Sequence, residues 1–411
     1  MSTITDSPKG WSARYDNTFM PTFGTPSLML VRGDGTHVWD SEGNKYLDLY
    51  AGIAVNALGH AHPAIVDAVS QQITTLGHIS NFFASIPQVT LGEHLLAITA
   101  PDTPVSGKVF LTNSGTESTE AALKIVKAYA NTADTPKTRI LALDHSFHGR
   151  STGALALTWK ESYRAPFAPL LGPIEFIPAN DETALRDAMS DDVAAIFIEP
   201  IQGEAGVHVI HDSYMRLVRE LTTRYGALMV IDEVQTGLGR TGQWMGHHWS
   251  AITPDVVTLA KGLAGGMPIG ACIAYGQAAQ ILGPGMHGST FGGNPVCAAA
   301  ALAVINTIKQ TDLVKRSRDL GARWRADLSQ YLGTSLREVR GRGLLIGIEL
   351  AEPVAPAMVT AARRNGFLLN ATSETTLRLA PALTITDEQV DIFTQALPTL
   401  YDAARKENNA K

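Results

Sequence analysis

Between about residue 80 and residue 310, short apolar runs alternate with longer segments that have the spacing of helices. Some runs, such as 193–198, are apolar at every position, which is typical of strands buried on both faces of a sheet. The alternation predicts an α/β domain with a largely parallel sheet and helices on both sides. The predicted strands cover residues 108–112, 139–143, 193–198, 227–231, 256–260 and 269–275.

The two ends of the chain have a different pattern. Residues 1 to about 20 are predicted to be a polar arm, and residues 28–40 contain two apolar runs around an Asp-Gly turn signal, which predicts a β-hairpin. Near the C-terminus the pattern predicts a small α+β unit with strands and a final helix. We therefore divide the chain into three parts. Residues 1–80 are an N-terminal segment that forms part of the small domain, residues 81–310 are the large domain, and residues 311–411 are the C-terminal small domain.

Composition narrows the class of protein. The chain has 411 residues, of which 45% are hydrophobic and 18% are charged, and its formal net charge is −6. It has no basic tail and no long charge run, which argues against nucleic acid or an anionic membrane as a partner. Its N-terminus lacks the apolar segment of a signal peptide, and its two cysteines lack a metal-binding spacing. These features predict a cytoplasmic protein with reduced thiols.

Four histidines occur as two close pairs. His60 and His62 lie in a predicted loop, but no third ligand has a spacing that joins them, so we predict no metal site. His247 and His248 are predicted to be a surface pair. Arg240 is predicted to serve loop structure and not chemistry.

Lys261 is distinguished by its position. It follows the predicted strand 256–260, opens a glycine-rich stretch, and is the only lysine between Lys160 and Lys309. Burial lowers the pKa of an amine, and a neutral amine can attack a carbonyl group. Lys261 is therefore a candidate for a covalent link to an aldehyde. The alternative is a lysine that only extends from the end of a strand to solvent.

Chemically useful side chains also follow four other predicted strands. Ligands of open α/β sheets bind beyond the carboxyl ends of the strands, so these side chains are expected at one edge together with Lys261. This coincidence favours a functional role for the lysine. The set comprises a helix N-terminus with hydroxyls and a glycine, an aromatic ring beside an arginine, and several acids: Ser114, Gly115, Thr116, Phe147, Arg150, Glu199, Glu204 and Asp232.

A lysine, a phosphate site, a buried carboxylate and a flat ring together describe a site for pyridoxal phosphate. A helix N-terminus binds phosphate through free N–H groups and the helix dipole. An aspartate beside the cofactor's pyridine nitrogen keeps that nitrogen protonated, and Asp232 is the candidate. An arginine such as Arg150 can pair with a substrate carboxylate through two hydrogen bonds. The residues therefore predict an enzyme that uses pyridoxal phosphate.

Over nearly its whole length, the chain resembles the class III, ω-amino-group branch of the fold-type I aminotransferases. The pair Asp232 and Lys261 is highly specific to that class. Two runs, 51–63 and 288–295, are most similar to members that use N2-acetyl-L-ornithine. Further runs that carry the resemblance are Phe147-His148-Gly149-Arg150, Glu199-Pro200-Ile201-Gln202-Gly203-Glu204, Asp232-Glu233-Val234-Gln235-Thr236-Gly237 and Leu259-Ala260-Lys261-Gly262.

The resemblance implies a pyridoxal-phosphate enzyme that is a homodimer with shared active sites. It implies transfer of the distal amino group of N2-acetyl-L-ornithine to 2-oxoglutarate, a step of arginine biosynthesis. The products would be N-acetyl-L-glutamate 5-semialdehyde and L-glutamate. The implied fold is a large domain with a mostly parallel sheet flanked by helices, plus a smaller α+β domain.

The resemblance also implies a role for each site residue. The catalytic residues are Lys261, which links to the cofactor, and Asp232, which pairs with the pyridinium. Glu204 and Arg378 form a pair that acts with both substrates. Glu204 pairs with Arg378 while the ω-amino donor is bound, and it releases Arg378 to bind a carboxylate of 2-oxoglutarate. Arg150 binds the donor's α-carboxylate. The remaining contacts are Ser114, Gly115 and Thr116 for phosphate, Phe147 for the ring, Gln235 for its oxygen, Ser289 for substrate, and Thr290 for the phosphate of the neighbouring subunit's cofactor.

Three alternatives remain open at this stage. The first is a sibling ω-aminotransferase that acts on ornithine, succinyldiaminopimelate or 4-aminobutyrate. The second is a pyridoxal enzyme of another class, against which the pair of Glu204 and Arg378 argues. The third is a non-catalytic protein that binds the cofactor as a regulator, but the first 25 residues are too short for a DNA-binding appendage and carry no basic face.

Overall fold

The computed structural model of the chain describes residues 9–101, 106–133 and 136–409. The first eight residues of the predicted arm lie outside these ranges. The strands, in chain order, are β1 (Leu30–Asp34), β2 (His37–Asp40), β3 (Lys45–Asp48), β4 (Gly107–Thr112), β5 (Arg139–Leu143), β6 (Ile174–Ile177), β7 (Val193–Ile198), β8 (Ile201–Gln202), β9 (His208–Val209), β10 (Leu228–Asp232), β11 (Val256–Leu259), β12 (Gly270–Tyr275), β13 (Leu336–Arg342), β14 (Leu345–Leu350), β15 (Phe367–Leu368), β16 (Asn370–Ala371) and β17 (Thr376–Leu379).

Helices separate most of these strands. They are Trp11–Thr18, Pro63–Thr75, Ile86–Thr99, Gly115–Ala130, Thr152–Ala156, Glu161–Arg164, Glu182–Ala188, Asp212–Tyr225, Pro295–Gln310, Leu313–Leu332, Ala355–Arg364 and Asp387–Asn409. Residues Ala51–Ala54 form a separate helical turn with unusual backbone angles. Short 3-10 turns lie at Ala165–Phe167, Gly246–Ser250, Lys261–Leu263, Ala278–Gln280 and Gly333–Ser335. Among the helices in the described ranges, none combines the length and the apolar character that a bilayer crossing requires.

A seven-stranded sheet forms the centre of the molecule, in the order β4-β12-β11-β10-β7-β5-β6. Neighbouring strands are parallel except at β12, which runs antiparallel to both β4 and β11. The prediction of a largely parallel sheet is therefore confirmed. The sequence pattern missed β6, an edge strand in which Glu175 interrupts the apolar residues.

Both faces of this sheet are buried, which explains its apolar strands. In β7, Ala195 and Phe197 belong to a core on the side of the helix Gly115–Ala130. Their neighbours Ile196 and Ile198 belong to a second core on the side of the helix Asp212–Tyr225. Successive side chains of a strand point to opposite faces, so a strand covered on both sides must be apolar throughout.

The two ends of the chain come together in smaller sheets. The predicted hairpin forms as β1 and β2, and β3 pairs with β15 from the C-terminal region. A second sheet has the order β13-β14-β17-β16. The part of the predicted polar arm that the structure describes contains the helix Trp11–Thr18, of which no residue is buried. The division of the chain into domains at about residues 80 and 310 stays a prediction.

Candidate active site

The carboxyl ends of β4, β5, β7, β10 and β11 surround one pocket of about 390 Å³. Since these five strands run in one direction, their ends lie at the same edge of the sheet. Three predicted site residues, Ser289, Thr290 and Arg378, are not among the residues that line the pocket. The other predicted site residues all line it: Ser114, Gly115, Thr116, Phe147, Arg150, Glu204, Asp232, Gln235 and Lys261.

A strained piece of backbone presents Lys261 to the pocket. β11 ends at Leu259, and Lys261 has a φ of 39°, in the left-handed region that residues with a Cβ rarely adopt. Burial lowers the pKa of the Lys261 amine, and the negative charge of Glu204 opposes this effect only in part. The environment therefore favours the neutral amine that attack on a carbonyl requires.

Asp232, the last residue of β10, is held by three hydrogen bonds. Its Oδ2 lies 2.8 Å from His148 Nδ1, and its Oδ1 accepts from Thr258 Oγ1 at 3.1 Å and from the Val234 N–H at 3.0 Å. Burial is the largest single effect on His148 and opposes its charge, but the hydrogen bond to Asp232 and the negative charges of Asp232 and Glu199 together outweigh burial, and the pKa of His148 is raised. No role was predicted for His148, which is buried beside the Asp232 carboxylate.

The loop after β4 leads directly into a helix that points its N-terminus at the pocket. Ser114 caps the helix and accepts from the Glu117 N–H at 3.3 Å. The first amides of a helix have no acceptor within it, so those of Gly115 and Thr116 can bind an anion. Gly149 is required beside them, because a Cβ there would lie 2.3 Å from Thr116 Oγ1.

Phe147 and Arg150 follow β5 and lie at the mouth of the pocket. The Arg150 guanidinium carbon lies 5.7 Å from the centre of the Phe147 ring and 3.5 Å from that of Tyr163. The Phe147 N–H donates to Glu199 Oε1 at 2.8 Å. Burial raises the pKa of Glu199 to about 7. Glu199 follows a predicted strand, but no role was predicted for it.

Glu204 connects the pocket to Arg378 on β17. Arg378 Nη1 donates to Glu204 Oε1 at 2.5 Å, and the arginine is only 1% exposed. Gln235 Nε2 donates to the same Glu204 oxygen at 3.2 Å. Burial is the largest single effect and opposes the charge of Glu204, but the charges of Arg378 and Lys261 and the hydrogen bonds from Arg378 and Gln235 together outweigh burial, and the pKa of Glu204 is lowered. A side chain at Gly203 would overlap the Gln235 amide, which explains the glycine.

Ser289 and Thr290 lie on a loop outside the pocket. Ser289 Oγ accepts from Asn113 Nδ2 at 3.2 Å, and Asn113 lines the pocket. Thr290 is exposed. The structure thus brings Ser289 near the other predicted residues, but it does not bring Thr290 into the pocket of its own chain.

The prediction that His247 lies at the surface is wrong. His247 is buried, and its Nδ1 lies 2.7 Å from Glu233 Oε1, in the residue that follows Asp232. Arg240 is buried as well and donates to backbone oxygens of Leu344 and Pro381. It therefore serves structure, as predicted. Within the described ranges, no three His, Cys, Asp or Glu side chains form a group that could hold a metal ion.

The pocket has the chemical groups that pyridoxal phosphate requires. Lys261 supplies an amine for the aldehyde, and Asp232 supplies an oriented carboxylate for the ring nitrogen. The helix N-terminus at Gly115 supplies amide donors for the phosphate. Phe147 offers a flat surface for the ring. The residues therefore fit this cofactor.

Comparisons with known proteins agree with the pocket. The family described as "Aminotransferase class-III" matches residues 20–400. A protein named acetylornithine aminotransferase, from Mycobacterium leprae (strain TN), is 49% identical over 398 residues, which cover 97% of this chain and 96% of that protein. Another of the same name, from Streptomyces coelicolor, is 47% identical over 392 residues and 95% of each chain.

Solved structures have the same fold. The ornithine aminotransferase from Toxoplasma gondii, described with partial occupancy of PLP at its active site, superimposes with a TM-score of 0.91 at 30% identity, over 98% of this chain and 96% of that chain. The N-acetylornithine aminotransferase from Stenotrophomonas maltophilia K279a superimposes with a TM-score of 0.80 at 35% identity, over 95% of this chain and 99% of that chain. The chain belongs to the class III aminotransferases, which are fold-type I enzymes that depend on pyridoxal phosphate.

Proposed function

We propose that the enzyme transfers the distal amino group of N2-acetyl-L-ornithine to 2-oxoglutarate. The donor's terminal amine becomes an aldehyde, and the acceptor's ketone becomes the amine of L-glutamate. The family and the transaminase chemistry rest on the match over residues 20–400. The choice of donor is supported by the relatives named acetylornithine aminotransferase, at 49% and 47% identity over nearly the whole chain.

The observation that carries the mechanism is that Lys261 and Asp232 line one pocket with a helix N-terminus. When bound, pyridoxal phosphate supplies an aldehyde that carries the amino group between the two substrates and a ring that withdraws electrons. Lys261 would hold that aldehyde, and its free Nζ would take the proton from the substrate's amine-bearing carbon. Asp232, oriented by His148, holds the pyridine nitrogen protonated.

The remaining residues position cofactor and substrates. Ser114, Gly115 and Thr116 bind the phosphate, Phe147 stacks on the ring, and Gln235 lies near the ring oxygen. Arg150, at the mouth of the pocket, pairs with the α-carboxylate of the donor, which leaves the distal amine near Lys261.

The acceptor has two carboxylates, whereas the donor has one. We assign to Arg378 the second carboxylate of 2-oxoglutarate, by which we mean the one that has no counterpart in the donor. While the donor is bound, Glu204 keeps its hydrogen bond to Arg378 and neutralises the guanidinium. When the acceptor binds, Glu204 releases Arg378, and the arginine pairs with the incoming carboxylate.

We further propose a homodimer in which Thr290 of each subunit donates to the phosphate of the other subunit's cofactor, with Ser289 near the substrate. The exposure of Thr290 in the single chain supports this role. We also propose that the enzyme acts in the cytoplasm, without nucleic acid as a partner, and that the small domain closes over the substrate.

The donor is tested by comparing kcat/KM for N2-acetylornithine, ornithine, succinyldiaminopimelate and 4-aminobutyrate, each with 2-oxoglutarate as acceptor. The proposal requires N2-acetylornithine to exceed ornithine and 4-aminobutyrate by at least about tenfold, with activity on succinyldiaminopimelate as the closest rival. A clear preference for one of the other three donors would retain the mechanism and replace the substrate.

A further inference from the structure

Residues 51–54 form one turn of left-handed helix beside the active site. Their φ angles are 48°, 63°, 65° and 61°, and three of them, Ala51, Ile53 and Ala54, carry a Cβ. The turn is closed by hydrogen bonds from the Ala54 N–H to the Tyr50 oxygen at 3.1 Å and from the Val55 N–H to the Ala51 oxygen at 2.9 Å. Residues with a Cβ are strained in this region, so the surrounding structure must hold the turn in place.

Asp48 and His60 hold the start of this turn. Asp48 Oδ1 accepts from the N–H groups of Tyr50 at 3.0 Å and Ala51 at 2.8 Å. Its second oxygen, Oδ2, lies 2.8 Å from His60 Nε2. Asp48 is 6% exposed, so these hydrogen bonds form in a largely dry environment.

The hairpin β1–β2 fixes His60 in turn. The His60 N–H donates to the Gly35 oxygen at 2.7 Å, and the Gly35 N–H donates to the His60 oxygen at 2.9 Å. The imidazole lies so close to β1 that a Cβ on Gly33 would come within 2.6 Å of the His60 Cβ. The histidine is thus clamped between the hairpin and Asp48.

The turn connects to the segment that carries Arg378. The Ala380 N–H donates to the Leu49 oxygen at 2.8 Å, just before the turn. Tyr50 then places its ring 6.0 Å from the Arg378 guanidinium carbon. After the turn, Val55 lines the pocket. One short segment therefore contacts both Arg378 and the pocket.

We propose that Asp48 and His60 are positioning residues for the acceptor: they hold the left-handed turn, which keeps Tyr50 against Arg378 and fixes the arginine for the second carboxylate of 2-oxoglutarate. This inference rests on the proposed function, in which Arg378 binds that carboxylate. Neither residue touches the reacting atoms. Their effect is specific to the acceptor half-reaction, because in the proposed function the donor pairs with Arg150 and not with Arg378.

The test uses His60→Leu in the holoenzyme, with His62→Leu as the matched control. His62 lies two residues away and accepts one hydrogen bond, from the Ala64 N–H at 3.3 Å, without contacting Asp48. Each half-reaction is followed by single-turnover spectroscopy, with N2-acetylornithine for one and 2-oxoglutarate for the other. We expect His60→Leu to raise the half-saturating 2-oxoglutarate concentration about tenfold and to change the donor half-reaction less than about twofold. His62→Leu changes neither beyond about twofold.

Tyr50→Leu is the second variant and carries the test if His60→Leu does not fold. It removes the ring beside Arg378 and leaves Asp48 and His60 in place, and we expect the same selective loss. Equal losses in both half-reactions, or an unchanged acceptor half-reaction in each variant that folds, would overturn the inference. The wild-type enzyme is measured before any variant. If it transfers no amino group between these two substrates, the proposed function is wrong, and the inference that rests on it is overturned with it.

Discussion

Arg378, which is buried, and Glu204, whose side chain is 34% exposed, form an ion pair at the edge of the pocket, with Nη1 and Oε1 2.5 Å apart. A buried arginine without a neighbouring acid would be an uncompensated charge, so the Arg378 guanidinium requires a carboxylate beside it. That carboxylate can come from Glu204 or from a substrate. Arg378 can therefore pair either with Glu204 or with a substrate carboxylate. Ping-pong transfer requires both pairings, because the donor has one carboxylate and the acceptor has two.

Replacing Glu204 with Gln is expected to shift the balance between the two substrates. The amide cannot neutralise Arg378, so the arginine is always available to the acceptor and is uncompensated when the donor is bound. We expect the ratio of kcat/KM for 2-oxoglutarate to that for N2-acetylornithine to rise about tenfold. The control is Glu338→Gln, which changes an exposed side chain that pairs with Arg340. A Glu204→Gln ratio equal to the wild-type ratio would contradict the switch.

Glu199 is expected to make stability depend on pH. Burial raises its pKa from 4.5 to about 7, so the folded protein favours the protonated acid. The folded state therefore loses stability relative to the unfolded chain as pH rises from about 4.5 to about 7, and the loss, on the order of 3 kcal/mol, stays constant above that range.

Glu199→Gln removes this titration and can keep the acceptor for the Phe147 N–H. In the cofactor-free protein, we expect the variant to unfold at a higher temperature than the wild type at pH 8 and at nearly the same temperature at pH 4.5. The control is Glu220→Gln at an exposed position on the helix Asp212–Tyr225. If the difference in unfolding temperature between Glu199→Gln and the wild type is the same at both pH values, the Glu199 side chain does not titrate as described.

Much of this architecture was predictable because the signals are local. β7 begins and ends where its apolar run does, and β5 adds only Arg139 before its run, since strands buried on both faces leave no polar position inside them. The positions of Lys261 and Asp232 at the pocket were predictable because each directly follows an apolar run. The antiparallel direction of β12 was not, because its residues are as apolar as those of its parallel neighbours.

Contacts between distant residues explain the other differences. His247 looked like a surface residue because its partner, Glu233, is 14 positions away in the sequence. The hydrogen bond between Asp48 and His60 links positions 12 apart across a turn whose left-handed backbone has no sequence signature, since only Gly52 in it is a glycine. Such features depend on tertiary structure and not on periodicity.

Complementation between subunits tests the role of Thr290. Lys261→Ala and Thr290→Glu are each expected to be inactive, the first without its amine and the second because a carboxylate repels the neighbouring phosphate. In a hybrid dimer, one site combines an intact Lys261 with an intact Thr290 from the other subunit. Random mixing should therefore restore about a quarter of wild-type activity. A mixture that stays inactive would place Thr290 in the site of its own chain, and a Thr290→Glu enzyme that is active by itself would place Thr290 outside both sites.

The central claim is that Lys261 holds the cofactor in a pocket that serves two successive substrates. It is tested most directly by the absorbance of the purified holoenzyme as N2-acetylornithine and then 2-oxoglutarate are added, beside Lys261→Ala. We expect the absorbance of the lysine-linked cofactor to disappear with the first substrate and to return with the second, and we expect Lys261→Ala to show neither change. An enzyme whose absorbance does not respond to N2-acetylornithine, or a Lys261→Ala variant that turns over near the wild-type rate, would contradict it.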